Sequence, residues 1–405
     1  MYYLCSRFFK ALKTVGNMLK TSRFKSRASL KSILRVLPLL LFFFSFSGTW
    51  AIAQDSTAVS EIAVNETQAE EESLDASKMI LHHIADAHEI HLFDDVAIYL
   101  PVILITDDGL KVFSSSHFYH NPITEYHGEE KLEYYAYGDF ILYHEKVYLA
   151  SAEGGLTLDP VTGEIANEAA LDFSITKSVV GVILTLLILV LIFGSVARGY
   201  KKREGRAPKG LQSFMEPLIL FVRDEVAVPS IGKEKADRFM PFLLSMFFFI
   251  WAANLLGLIP FIGGFNVTGT ISVTLVLAAL VFITITINGN KHYWTHILAP
   301  SGVPLPVKFI LVPIEFLSIF IKPVVLMVRL TANITAGHII ILAFVSLVLI
   351  FGEVSAATGY GVGVGSVLFL IFMYFIKLLV VFLQAYVFTL LAAIYLGEAT
   401  QEAHH

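Results

Sequence analysis

From about residue 176 to the end, the chain consists of apolar runs long enough to cross a lipid bilayer. That feature decides what it can fold into. Residues 178–197 form an almost uncharged run of the roughly 20 residues that a helix needs to traverse hydrocarbon. Further apolar runs lie at about 239–261, 268–288, 308–351 and 366–397. A composition of 56% hydrophobic against 16% charged residues excludes an ordinary soluble protein. In hydrocarbon every backbone N–H and C=O must be satisfied within the protein, so the runs are expected as helices. The expected class is mainly α, a polytopic membrane protein with five spans, the first at about 176–197. Its last two runs exceed an upright span, and so form a long, tilted or kinked C-terminal hairpin.

The net charge of -5 averages two opposed parts. Residues 1–53 carry nine Lys/Arg and no acid, whereas 54–170 carry 23 Asp/Glu against four Lys and no Arg. Basic residues up to Arg35, the apolar run Leu37–Phe46 and then Ala51-Ile52-Ala53 have the three regions of a secretory signal peptide, with cleavage expected after Ala53. The unusual length of the basic region leaves open an uncleaved anchor or a start codon assigned too early. Either way the next part, 54–172, is expected outside as an acidic, His-rich domain. Its residues 54–77 are too acidic and too poor in apolar side chains to order by themselves. The runs 96–105 and 110–113 flank Asp107-Asp108-Gly109, a hairpin signal. Strand-like pieces follow at 137–150 and 154–165, so a small exported β-containing domain precedes the membrane part, 173–405.

Arg198, Lys201, Lys202, Arg203, Arg206 and Lys209 follow the first span and place that end in the cytoplasm by the positive-inside rule. Residues 210–238 are too polar to span and suit an amphipathic segment on the same face. The loop with Lys291, His292, His296 and Lys308 is cytoplasmic by the same rule. The C-terminus therefore also lies inside, in a bacterial plasma (inner) membrane.

Ionisable groups within the spans are rare and costly, about 2.5–3.5 kcal/mol each at the bilayer centre, which makes them functional candidates. Glu315, Ser318, Lys322, Arg329 and Asn333 fall within one narrow stripe of a helix at 100° per residue. Such a stripe should face water or a partner. Arg329 lies mid-span, and its guanidinium stays charged where a lysine would shed its proton. It can repel passing protons and attract a carboxylate. Placed between two water-filled half-channels, it would force each partner carboxylate to deprotonate on arrival.

Thr331, Thr335 and His338 lie on the opposite face, and Lys377 and Gln384 share a face of the last helix, outlining a second polar path. His338 has two readings, a proton relay or a merely hydrogen-bonded side chain. Lys377 also has two, lining a half-channel or serving packing. Pro313 and Pro323 within the long run, and Gly337 after the arginine, permit bending and close approach. In the exported part, His82, His83, His88, His91, His117, His120, His127 and His144, with Asp86 and Glu89, raise zinc binding as an option, although their spacing fits no strong motif. The only cysteine is Cys5 in the leader, and no phosphate-cradling Gly-Lys-Ser/Thr loop occurs. No metal, other cofactor or nucleic acid is expected, and ATP chemistry is not expected in this chain.

Lys322-Pro323-x5-Arg329-Leu330-x2-Asn333-x3-Gly337-His338 and the later Gln384-Ala385-Tyr386-Val387-Phe388-Thr389-Leu390-Leu391 resemble the F-type ATP synthase a subunit. So do Asn254 to Pro260 and Asn266-Val267-Thr268. The resemblance covers about 173–405 and implies a hairpin cupping a c-ring, with Arg329 beside the ring carboxylates and Gln384 near it. Glu315, Asn333, His338 and Lys377 would line the half-channels, with Ser318 on the same stripe. It also implies b-type peripheral stalk subunits and the rest of the complex as partners, within membrane lipid. Three departures stand out: Lys377 where relatives commonly have Glu or His, Gly257 where some have an acid, and the extra exported domain. Against this reading stand a stand-alone secondary transporter or channel, which would work without a ring, and an exported metal-binding or sensing module, which leaves the Arg329 stripe unexplained.

Overall fold

The computed structural model describes residues 85–401, apart from 94–95, 120–121, 128–129, 152–154, 159–164, 204–206, 260–263, 299, 301–302 and 355. The leader, its expected cleavage after Ala53, the acidic stretch 54–77 and His82-His83 lie outside the described residues.

An N-terminal β module precedes a helical bundle. Its strands are β1 (Glu89–Phe93), β2 (Val96–Tyr99), β3 (Pro101–Thr106), β4 (Gly109–Ser114), β5 (Pro122–His127), β6 (Glu130–Tyr137), β7 (Phe140–Tyr143), β8 (Lys146–Leu149) and β9 (Leu171–Asp172), with a short helix α1 (Ser116–Tyr119) after β4. They form a β1–β2 ribbon, a sheet in the order β4-β3-β9 and a four-stranded meander β5-β6-β7-β8, all antiparallel. Side chains alternate across a strand, and β7 uses both faces. Phe140 and Leu142 join Val102, Leu104, Phe118 and Val147 in one cluster, while Ile141 joins Leu132, Tyr134 and Leu156 in another.

The hairpin expected at Asp107-Asp108-Gly109 forms between β3 and β4, with Gly109 at a φ of 108°. The run 96–105, read as one strand, is two. Pro101 has no N–H to give a ladder, and at Leu100 the backbone N–H turns to the His88 carbonyl and Ser115 Oγ. The chain thereby leaves the β1–β2 ribbon and enters a different sheet. The strand-like piece 154–165 contributes only an isolated bridge, Leu158 to Ile165, among its described residues.

Among the described residues, five helices are long and apolar enough to cross a membrane. They are α2 (Lys177–Lys202), α5 (Lys233–Gly257), α6 (Ile271–Asn288), α8 (Leu305–Val354) and α9 (Ala356–Thr400). Between α2 and α5 run α3 (Leu211–Phe221), a π-helical turn Val222–Ala227 and α4 (Val228–Ile231). Met215, Ile219, Val222, Val226 and Ile231 bury one face of this segment, while Arg223 pairs with Asp224 and Asp237. A short helix α7 (Lys291–Leu298) links α6 to α8. The mainly α, polytopic class with a long C-terminal hairpin and a small β-containing part is the one observed.

The bundle core centres on α5, the most enclosed of the five. Phe247, Phe248, Leu243 and Leu244 are fully buried, and Phe193 of α2 meets Phe248 edge-on at 4.9 Å. Two ends of the bundle are defined by polar ties. At the basic end, Arg238 reaches Asn288 at 2.7 Å, and Lys235 and Asn290 both donate to the Thr400 carbonyl. At the other end, Ser178 meets Thr270 at 2.8 Å.

That second end carries the β module. Ile175 N–H donates to the Pro101 carbonyl and Ser174 Oγ accepts from Ile103, so β3 continues along the segment leading into α2. The N-cap residue Thr176 makes no side-chain cap of its own. Asp86 caps α2 instead, accepting from Ser178 N–H at 2.8 Å and Thr176 Oγ1 at 2.9 Å. A carboxylate there satisfies free N–H groups and complements the helix dipole.

Candidate ion path

Arg329 sits in the middle of α8 with its side chain exposed. Around it α8 shows Val324, Val325 and Val328, and α9 shows Ile376, Leu378, Leu379 and Leu383. Most of both helices' apolar surface remains uncovered, in contrast to α5. The underside of the hairpin is packed: Leu326, Leu330 and Ile334 of α8 and Val381, Ala385 and Phe388 of α9 enter the core. Asn333, one turn beyond Arg329, is likewise exposed. A fixed positive charge thus stands on a broad apolar face.

Toward the β-module end, His338 and Lys377 come together on a cavity of about 160 Å³, also lined by Gly257, Gly264, Asn266 and Tyr374. His338 Nδ1 lies 3.0 Å from Asn266 Oδ1, so the imidazole donates and the amide oxygen accepts. Lys377 is 7% exposed, and its aliphatic stem lies against Gly337, where a Cβ would come within 3.3 Å of Lys377 Cε. Gly257 has an equally local reason, because a Cβ there would be 2.4 Å from the Phe265 carbonyl oxygen. The loop approaches too closely for an acid at that position. Thr331 of the same face is taken up by Thr274 of α6 at 2.7 Å. Gln384 is half-buried two turns beyond Lys377.

Toward the basic end, Glu315 Oε1 lies 3.3 Å from His296 Nδ1 of α7. Ser318 Oγ donates to the Glu315 carbonyl at 2.7 Å. Lys322 pairs with Glu398 of α9 at 2.6 Å and stands 4.8 Å from the Tyr395 ring centre. At 1.5 Å of rise per residue, Glu315 is about 21 Å and His338 about 14 Å along α8 from Arg329, on opposite sides. Two polar clusters opening at opposite ends, with one exposed arginine between them, is an arrangement that can pass ions to and from a partner without a continuous pore.

Three participants escaped the sequence reading: His296, Glu398 and the bond from His338 to Asn266. The first two lie outside the long α8 stripe, and only the folding of α7 and the α9 terminus onto α8 brings them in. His296 carried a signal, since it lies in the basic loop that precedes α8. Among the described residues, no three of His, Cys, Asp and Glu gather where one metal ion could be held.

Fold and site together define a membrane-embedded subunit of an ion-translocating assembly. The comparisons make this specific: the ATP synthase A chain family matches residues 179–397, and the chain belongs to that family. ATP synthase subunit a of Chloroherpeton thalassium is 41% identical over 241 residues, 58% of this chain and 69% of that one. The subunit a of Pelodictyon phaeoclathratiforme is 38% identical over 288 residues, 69% and 79% of the two chains. Subunit a 2 of Chlorobaculum tepidum is 43% identical over 240 residues, 57% and 65%. A separate domain of unknown function (DUF8433) matches residues 79–173, the β module.

Proposed function

We propose that this chain is the ion-translocating stator subunit of an F-type ATP synthase, with protons as the cargo and Arg329 as the coupling residue. The observation that carries this reading is one exposed arginine on the apolar face of the α8–α9 hairpin, between polar clusters at opposite ends. The apolar face fits a ring of partner helices bearing carboxylates, and b-type stalk subunits complete the stator. A ring carboxylate loses its proton on reaching Arg329, and the guanidinium blocks direct passage between the two half-channels. His338 and Lys377 serve one half-channel; Glu315 and Ser318 serve the other. Asn333 and Gln384 flank the arginine. Membership in the family displaces the stand-alone transporter.

In this reading the membrane is the bacterial plasma membrane, with the basic end cytoplasmic. The β module, behind a cleaved leader, lies outside, and the C-terminus lies inside. Lys201, Lys202, Lys233, Lys291 and Lys308 all fall at the basic end, as the positive-inside rule requires. ATP-driven proton uptake by inverted vesicles holding the whole complex tests the central claim. Arg329→Ala should abolish uptake at matched assembly, and undiminished uptake would make the arginine structural.

A further inference from the structure

We infer that His296 is a proton-exchange residue at the cytoplasmic mouth, passing protons between bulk water and Glu315. The inference rests on the reading of Glu315 as part of the ion path.

The geometry is specific. His296 is 62% exposed and its Nδ1 lies 3.3 Å from Glu315 Oε1, while the Glu315 side chain is 27% exposed. The other carboxylate oxygen, Oε2, is buried without a hydrogen-bond partner. One ring thus touches both solvent and the outermost acid of the α8 stripe. Helix α7 is held in place by Ile297, 4% exposed, directly next to the histidine. It packs on both α8 and α9.

Charges of both signs lie on the helices around the pair, with lysines in excess. On α7 itself are Lys291, His292 and Tyr293; α8 presents Glu315, Lys322 and Lys308; α9 presents Glu398. Tyr293 lies within electrostatic reach of Lys322, Glu398 and Glu315. Lys322 is already paired with Glu398 at 2.6 Å, which leaves Glu315 to His296. A histidine suits the position because either ring nitrogen can carry a proton, so one ring can both give and take.

The step is a plain proton transfer. The imidazolium breaks its Nδ1–H bond and the proton bonds to Glu315 Oε1, leaving neutral imidazole and a carboxylic acid. The imidazole keeps its Nε2–H, so it is Nδ1 that takes the next proton, from water or a buffer molecule, when the ring, 62% exposed, swings away from the acid. Reversing the step releases protons to the cytoplasm.

The test is ATP-driven proton uptake by inverted vesicles containing the whole synthase, in weakly buffered medium, with ATP hydrolysis by the detached catalytic head used to match amounts. His296→Ala should slow uptake about tenfold, less than the roughly 100-fold or more that a positioned proton-transfer group supplies at a reacting bond, because water still reaches the mouth. Adding membrane-impermeant MES outside should restore the rate, since a mobile buffer can deliver protons to Glu315 directly. Full activity in His296→Ala at low buffer would overturn the inference, as would a loss that MES does not repair. Glu315→Gln separates the two layers: it should lose uptake that MES cannot restore. If it instead retains uptake, the assignment of Glu315 to the path has failed, and the inference with it.

Discussion

His88 shows how one side chain can bind two parts of this molecule. It is 1% exposed, with Nε2 3.3 Å from Asp172 and Nδ1 3.8 Å from Glu145. Burial alone would lower its pKa, but the hydrogen bond to Asp172 and the nearby charges of Asp172 and Glu145 outweigh burial and raise it from 6.5 to about 9. Burial likewise pushes Asp172 up, yet His88 and Ser174 bring it below its usual 3.8. Glu145 reaches the pair through a turn in which both His144 (φ 46°) and Glu145 (φ 60°) adopt left-handed backbone, a conformation costly for side chains with Cβ. Linkage then fixes the pH dependence. A raised histidine pKa contributes stability that is fully present below about 6.5 and is lost as pH rises through about 9. Amide hydrogen exchange at Leu100 in the assembled complex, corrected for intrinsic rates, should therefore show full protection below about pH 6.5, falling protection between about 6.5 and 9, and no further loss above about 9. In His88→Ala that alkaline loss should disappear from a lower starting level; an unchanged profile would mean that the ion cluster contributes nothing.

At the scale of elements, the β3–β4 hairpin and the α8–α9 hairpin are ordered by different physics. Leu104 is fully buried beside Phe118 on a sheet with water as its competitor, so Leu104→Ala should cost roughly 2–5 kcal/mol. Protease cleavage near β3 and β4 in the intact complex should accelerate accordingly, while ion uptake by the remaining intact chains stays coupled. The α8–α9 hairpin instead leaves apolar side chains uncovered, because lipid and partner helices replace water around it. This difference explains what was legible from sequence. Long apolar runs announce membrane helices directly, and the 3.6-residue period put Glu315, Ser318, Lys322, Arg329 and Asn333 on one stripe. Period alone carries no information on what docks beside a stripe. His296 and Glu398 come from other elements, and Thr331, grouped with a polar path, closes a packing contact with Thr274. In the β module the signals were weaker: a run such as 96–105 looks continuous, although Pro101 divides it between two sheets.

The described residues have polarity built in: β module and helix caps at one end, basic residues and the α9 terminus at the other. Asp86 and the Ile175–Pro101 hydrogen bond fasten the module directly to the start of α2. The two polar clusters inherit this polarity, because His338 and Asn266 share the module's end and Glu315 the basic end. Sidedness is therefore a single question for module and ion path alike. The chain makes it simple to ask, since Cys5 is its only cysteine and lies in the segment expected to be removed. In a Cys5→Ser background, Asp108→Cys, on the turn between β3 and β4, should react with a membrane-impermeant maleimide in intact cells from which the outer layers have been stripped. Lys201→Cys, at the end of α2, should react only in inverted vesicles. The reverse pattern would invert the bundle, move Glu315 to the outer half-channel, and leave His296 collecting protons from the wrong compartment.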